Sequence, residues 1–289
     1  ALGPRFSLLP HPSEYKALSQ ARERLRQHCH RADVIVTTHY HFDHFSPGFN
    51  SDFTWTWSSK EVAKEIYLDK TILAKNPKEN INYAQQLRAW YFWRFLDGKA
   101  KEVKAADSTT FQFGDTRVAF SRPVPHGEEQ GHLGFVLIPS ITYSDEKFVF
   151  APDVQGPMVK DTTDLIVNEK PDLLFVGGPP SYLVPSSLSK ERLDRAVQSI
   201  TEVVAVVNTT VIDHHLMRSE KWRDEIEGAF TVALTTGNEL FSAAKYEGLG
   251  PILLEARRRD LYSEMPVSKE FAKWIRKKPE ERRRIPPPI

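Results

Sequence analysis

Three histidines and a carboxylate stand within six positions of this chain: His39, His41, Asp43 and His44. In an extended or tightly turning backbone, His39 and His41 point to one side, and Asp43 and His44 can fold back to face the same space. Imidazole nitrogens suit zinc, iron or manganese, and a carboxylate beside them suits a second ion or a metal-bound water. The chain holds 10 histidines in 289 residues, so three in one short window exceed what a polar loop capping a strand requires.

Ligands of this kind have to be delivered by the ends of fixed elements. The apolar run Val34, Ile35, Val36 ahead of the motif reads as a buried strand over 33–38. Before it, a turn containing Pro10 and Pro12 leads into a helix over 14–27, with Leu18, Ala21 and Leu25 at helical spacing. Downstream, residues 111–120 read as two alternating strands around a Gly114-Asp115 turn, the second running on through Pro123 and Pro125 into His126. Strands over 134–138 and 147–150 follow, the latter ending at Asp153. Strands that end in His126 and then in Asp153 are what converging ligands require. A further strand over 173–176 is closed by Gly177 and Gly178, which either admit a close approach to the backbone or form a plain turn. A helix over 189–207, with Leu193, Ala196, Val197, Ile200 and Val204 at helical spacing, leads to a strand over 209–212 that ends in Asp213, His214 and His215. Shorter helices are expected around 222–227, 239–246 and 252–261.

The sequence His39-x-His41-x-Asp43-His44 after a hydrophobic strand resembles the signature of the metallo-β-lactamase-fold hydrolases, and within them an archaeal branch of metal-dependent hydrolases. The resemblance implies a mixed α/β fold, a four-layer αββα sandwich of two mixed sheets with helices outside. It implies that His39, His41 and His126 hold one metal ion, that Asp43, His44 and His214 hold another, and that Asp153 bridges them. His132 competes with His126, which sits at a strand end. His215 competes with His214, since in a strand that alternates faces only one of the two points inward. Asp213 is then a candidate to orient a ligand histidine. Two divalent ions roughly 3.5–4 Å apart lower the pKa of a bridging water enough to supply hydroxide as the nucleophile, which Asp43 is placed to orient. Zinc is the first expectation, with iron or manganese also admitted by the ligand set.

Relatives of this fold open with a β-hairpin region, whereas this chain starts with a Gly3-Pro4 turn and moves straight into a helix. The resemblance therefore describes a fold lacking its first strands here, and their true absence would leave an unpaired sheet edge. Residues 51–105 read as a helical, aromatic-rich insertion, with Trp55, Trp57, Tyr67, Trp90, Tyr91, Phe92, Trp93 and Phe95 among lysines and arginines and a helix over 81–96. It serves either as a lid that grips a phosphorylated substrate or as a helical layer that packs its aromatics inward, the second being the plainer expectation. Residues 264–289 read as a basic, solvated tail.

Composition narrows the classes. With 40% apolar and 27% charged residues, one domain over 1–289 can bury a sizeable core. No apolar run approaches the roughly 20 residues that span a bilayer, and the opening residues do not read as a signal peptide. A net charge of +1 gives no global field for nucleic acid, so a nucleic-acid partner is possible but not indicated. The single cysteine, Cys29, excludes a cysteine zinc site and, with no disulfide to form within the chain, points to the cytoplasm. The expected function is a dinuclear metallohydrolase acting on a small molecule, with a lean to phosphoesters or phosphodiesters. The alternatives are a di-iron redox protein of the same fold and a nucleic-acid-binding or scaffold protein with a structural metal site.

Overall fold

A computed structural model of the chain describes residues 2–51, 56–128 and 132–289, so that Trp55 lies outside the described residues. In chain order the elements are α1 (Pro12–Arg31), β1 (Val34–Thr37), α2 (Lys60–Tyr67), β2 (Thr71–Ala74), α3 (Tyr83–Leu96), β3 (Glu102–Ala105), β4 (Thr110–Phe113), β5 (Thr116–Phe120), β6 (Val124–Pro125), β7 (Phe135–Val136), β8 (Pro139–Tyr143) and β9 (Glu146–Ala151). There follow α4 (Lys160–Glu169), β10 (Leu173–Gly177), α5 (Lys190–Val204), β11 (Thr209–Asp213), α6 (Trp222–Glu225), α7 (Glu227–Thr236), β12 (Glu239–Ser242), α8 (Ala243–Tyr246), α9 (Arg258–Glu264), α10 (Lys269–Ile275) and α11 (Pro279–Arg282). The mixed α/β class expected from sequence is present. The chain divides into two compact units: Ala1–Pro77 with Tyr83–Ala105 and Leu254–Ile289, and Lys78–Asn82 with Ala106–Leu253. No helix among the described residues is long and apolar enough to cross a membrane.

In the first unit a three-stranded sheet of order β1-β2-β3 is parallel throughout. The segment 51–105, expected as a helical insertion, supplies two of these strands. β2 is the central one and all four of its residues are buried, which is why it reads as a short continuous apolar run without alternation. The aromatics of the segment divide: Tyr67 and Phe92 are buried, whereas Trp90 and Tyr91 are about half exposed.

The end of the chain is docked rather than frayed. Phe271 and Trp274 of α10 bury against Tyr15 of α1, with ring centroids 5.7 and 5.3 Å away, and Trp274 Nε1 donates to the Ile285 carbonyl at 2.7 Å. Arg258 of α9 is fully buried. It donates from Nε and Nη2 to the two oxygens of Glu14 at 2.8 and 2.7 Å, and from Nη1 to the carbonyls of Gly3 and Leu8. Glu14 also closes a capping box with His11 at the start of α1.

The second unit is built on a seven-stranded mixed sheet of order β12-β11-β10-β9-β8-β5-β4, parallel from β9 to β12 and antiparallel from β9 to β4. The Gly114-Asp115 turn joins β4 to β5 as expected, with Gly114 at φ +57. Leu174 and Val176 point into a core with Ile166 of α4, Ile200 and Val203 of α5 and Ala229 and Ala233 of α7. Phe148, Phe175 and Tyr246 form a separate aromatic chain, with centroids 6.1 and 6.0 Å apart.

Three elements of this unit differ from expectation. β5 stops at Phe120 and does not run into His126. Pro123 and Pro125 lack the amide a ladder needs, and the chain instead pairs β6 with β7. Residues 239–242, expected as part of a helix, form β12 because the outer edge of β11 offers a parallel ladder that outweighs local propensity. Ser242 then caps α8. α4 has little signal in the sequence: Thr162, Thr163, Ile166 and Val167 are β-branched and no side chain caps its start.

Gly177 and Gly178 serve a close approach. A Cβ on Gly177 would lie 2.7 Å from the Asp153 amide nitrogen, and one on Gly178 would lie 2.6 Å from Leu216 Cβ. The turn after β9 therefore rests on bare backbone at the end of β10, with Gly156 N donating to Gly177 O at 2.8 Å.

Two outcomes follow from this packing. Arg258→Met leaves the Glu14 carboxylate buried without its cation and should cost about 3–5 kcal/mol in urea unfolding, part of it regained in the Arg258→Met, Glu14→Leu double variant. Gly177→Ala should cost about 1–3 kcal/mol and lower the melting temperature, because the added methyl must displace backbone; Gly228→Ala, at a position with open space, should not.

Candidate metal centre

The motif leaves the carboxyl end of β1 in the first unit. Thr37, Thr38, His39 and Tyr40 are all buried, and His39 is fully so. Its ring lies with centroid 4.9 Å from that of His41 and 4.3 Å from that of His44, so the three imidazoles form one group. The group closes because the His44 amide donates to the His41 carbonyl at 3.0 Å in a tight turn. Asp43 is the most exposed member, its carboxylate 4.0 Å from His44 Nε2.

Side chains from α3 fix this loop, and no local pattern in the sequence marks them. Gln85 is fully buried. Its Oε1 accepts from the Tyr40 amide at 3.0 Å, while its Nε2 lies 3.5 Å from His41 Nε2. Arg88 donates to the Tyr40 carbonyl at 3.3 Å and lies over the Phe42 ring. Burial holds the Arg88 pKa below its ordinary value, against the opposing pull of Asp43. Tyr40 points the other way from the histidines. Its hydroxyl donates to the Lys75 carbonyl and accepts from Trp93 Nε1. Lys75, fully buried just past β2, is another residue that motif reading passes over.

In the second unit the group forms around Asp153, which is 2% exposed. His126 Nε2 lies 2.8 Å from one of its oxygens and His214 Nε2 lies 2.8 Å from the other. His215 Nε2 is 3.7 Å from the oxygen that faces His214. The register explains the meeting. Ala151 ends β9 beside Val176, and Gly177 pairs with Asp213 at the end of β11, so Asp153 and His214 emerge at the carboxyl ends of the two parallel strands that flank β10. Asp153, Gln155 and Gly156 all take positive φ, +47, +55 and +115, a turn held out of the common backbone regions.

The expected choice between His214 and His215 does not hold. His214 has φ +70 and starts a 3-10 turn, His214–Arg218, so strand alternation no longer applies and both rings face Asp153. Nor does Asp213 orient a ligand ring. Its two oxygens accept from the amides of His214 at 2.6 Å and Ala243 at 3.1 Å. The His215 ring is held by Arg218 and Tyr182 at its Nδ1, 2.7 and 3.3 Å away. Burial, together with the nearby His214 and Arg218, pushes the His215 pKa well below the usual histidine value and keeps it neutral. His132, the competitor of His126, is exposed, whereas His126 is 3% exposed.

The donors suit a divalent transition ion. Ligand atoms of Asp153, His214 and His215 all lie within 4.8 Å of one another, and neutral imidazole with carboxylate is the chemistry such an ion takes.

No family model matches the chain. Among solved structures, CmlA, a diiron β-hydroxylase from Streptomyces venezuelae, is 11% identical with a TM-score of 0.45, over 73% of this chain and 43% of that one. Relatives in sequence are nearer. The UPF0282 protein of Methanopyrus kandleri is 37% identical over 260 residues, 90% of this chain and 87% of its own. That of Korarchaeum cryptofilum is 34% identical over 276 residues, 95% and 88% of the two chains. That of Methanocaldococcus jannaschii is 35% identical over 273 residues, 94% and 88%. At this identity along nearly the whole length, the chain belongs to the UPF0282 protein family.

Proposed function

We propose that this protein is a metal-dependent enzyme of the metallo-β-lactamase type: a hydrolase using two divalent ions, zinc in the first place. The ligands are His39, His41, Asp43, His44, His126, Asp153 and His214, with His215 in reserve. The observation that carries the reading is Asp153: a carboxylate at 2% exposure, with an imidazole nitrogen 2.8 Å from each oxygen, on a turn of positive φ. Groups are built this way where a charge has to be met by a cation or by polar partners.

A bound ion would polarise a carbonyl or phosphoryl oxygen and lower the pKa of water. The protein's own groups do the rest. Asp43, the exposed carboxylate of the motif, would orient the attacking water. Gln85 fixes the loop that carries His39 and His41. Arg218 and Tyr182 fix the His215 ring at Nδ1, where the Arg218 guanidinium donates to its free electron pair, so the neutral ring directs an N–H at Nε2 toward Asp153. Phosphoesters and phosphodiesters are the first substrate class to screen. The second reading, a di-iron redox protein, rests on Asp43 and Asp153, since carboxylate oxygen suits iron as well as zinc.

Elemental analysis tests both readings. Protein purified without chelators should carry about two transition-metal ions per chain, zinc for the hydrolase and iron for the redox protein. His41→Ala and Asp153→Asn should each lower that content while the unfolding midpoint of the apo form changes little. Wild-type protein with less than about half an ion per chain, not restored by added metal, would overturn the proposal.

A further inference from the structure

The loop after the motif and one side of α3 enclose a cleft that the metal reading leaves unused. Its volume is about 780 Å³, within the range of roughly 300–1,000 Å³ of small-molecule sites. Seven of its fourteen described lining residues are aromatic and none is acidic; Lys60, Arg88 and Arg94 carry the only charges among them. A surface that existed only to be solvated would not leave Tyr83 80%, Tyr91 55% and Leu87 46% exposed along one helix.

The cleft is joined to the metal motif through Phe42. This residue lies between His41 and Asp43 and forms part of the cleft wall, with the Arg88 guanidinium 4.6 Å from its ring centroid. The opposite end is equally built: a Cβ on Gly48 would fall 2.1 Å from the Phe95 ring, so that ring lies directly against backbone. Flat apolar walls accept a ring by stacking, and Lys60 and Arg94, with no carboxylate among the lining residues, accept an anion, whereas Arg88 already feels the pull of Asp43.

We infer that this cleft binds the substrate and takes a planar aromatic group carrying an anionic substituent. The inference deepens the metal-enzyme reading and rests on it for the chemistry, though not for the binding itself.

The probe is 1-naphthyl phosphate, titrated by calorimetry into the full chain in its metal-loaded and chelator-treated forms, with 1-naphthol and inorganic phosphate as separate arms. It should bind both forms. Leu87→Asp, which sets a like charge in the wall, and Arg94→Glu, which reverses a rim cation, should each weaken it about tenfold or more. Metal content and unfolding midpoint should stay at wild-type values, since both side chains are exposed. 1-Naphthol should lose affinity in Leu87→Asp and keep it in Arg94→Glu; inorganic phosphate alone should bind far more weakly than the naphthyl ester. Wild-type protein that fails to bind the probe, or two variants that bind it as the wild type does, would overturn the cleft while leaving the metal result untouched. Probe binding with no metal in the wild-type protein would instead sink the enzyme reading and leave the cleft standing.

Discussion

A carboxylate removed from water has to be met by positive or donating groups, and in the second unit that requirement falls on Asp153. The cost of leaving it unmet exceeds what any neighbouring contact contributes, so the surroundings are arranged around it. β9 and β11 end level with β10, glycine at the end of β10 lets the Asp153 turn settle on backbone, and His126 arrives on a short proline-containing strand of its own. The positive φ values at Asp153, Gln155 and His214 are the local strain that this arrangement tolerates.

The first unit solves a related problem with different means. Its histidines follow a parallel strand too, yet what fixes them comes from α3. Gln85 accepts from the Tyr40 amide in the peptide after His39, and Arg88 donates to the Tyr40 carbonyl in the next peptide, before His41. In both units the ligand candidates stand just beyond strand ends, the place where open parallel sheets leave room for chemistry. In both, the groups that hold them come from other elements of the same unit.

The sequence shows the candidates better than it shows their support. The short spacing of His39, His41, Asp43 and His44 is visible because one loop carries all four. The strands that lead to Asp153 and His214 show as apolar runs ending in polar residues. Gln85, Arg88, Tyr182 and Arg218 are hidden, because each acts on a residue distant in the chain and looks locally like any polar position. The same limit explains β12 and β2, short segments whose state is decided by a neighbouring strand edge rather than by their own pattern. The backbone at His214 is hidden for a further reason: the left-handed φ that turns both His214 and His215 toward Asp153 has no marker in residue type.

The contact between Arg258 and Glu14 joins residues 244 positions apart, and this has a bearing on how the protein is made. The second unit is almost continuous in the chain, whereas the first draws on segments from both sides of it and includes residues made after Leu253. The first unit cannot be completed before them. Glu14 and Tyr15 wait, with a carboxylate and an aromatic face uncovered, until α9 and α10 have been made. A release of the chain short of α9 would leave a finished second unit tethered to a first unit whose opening helix lacks its buried partner.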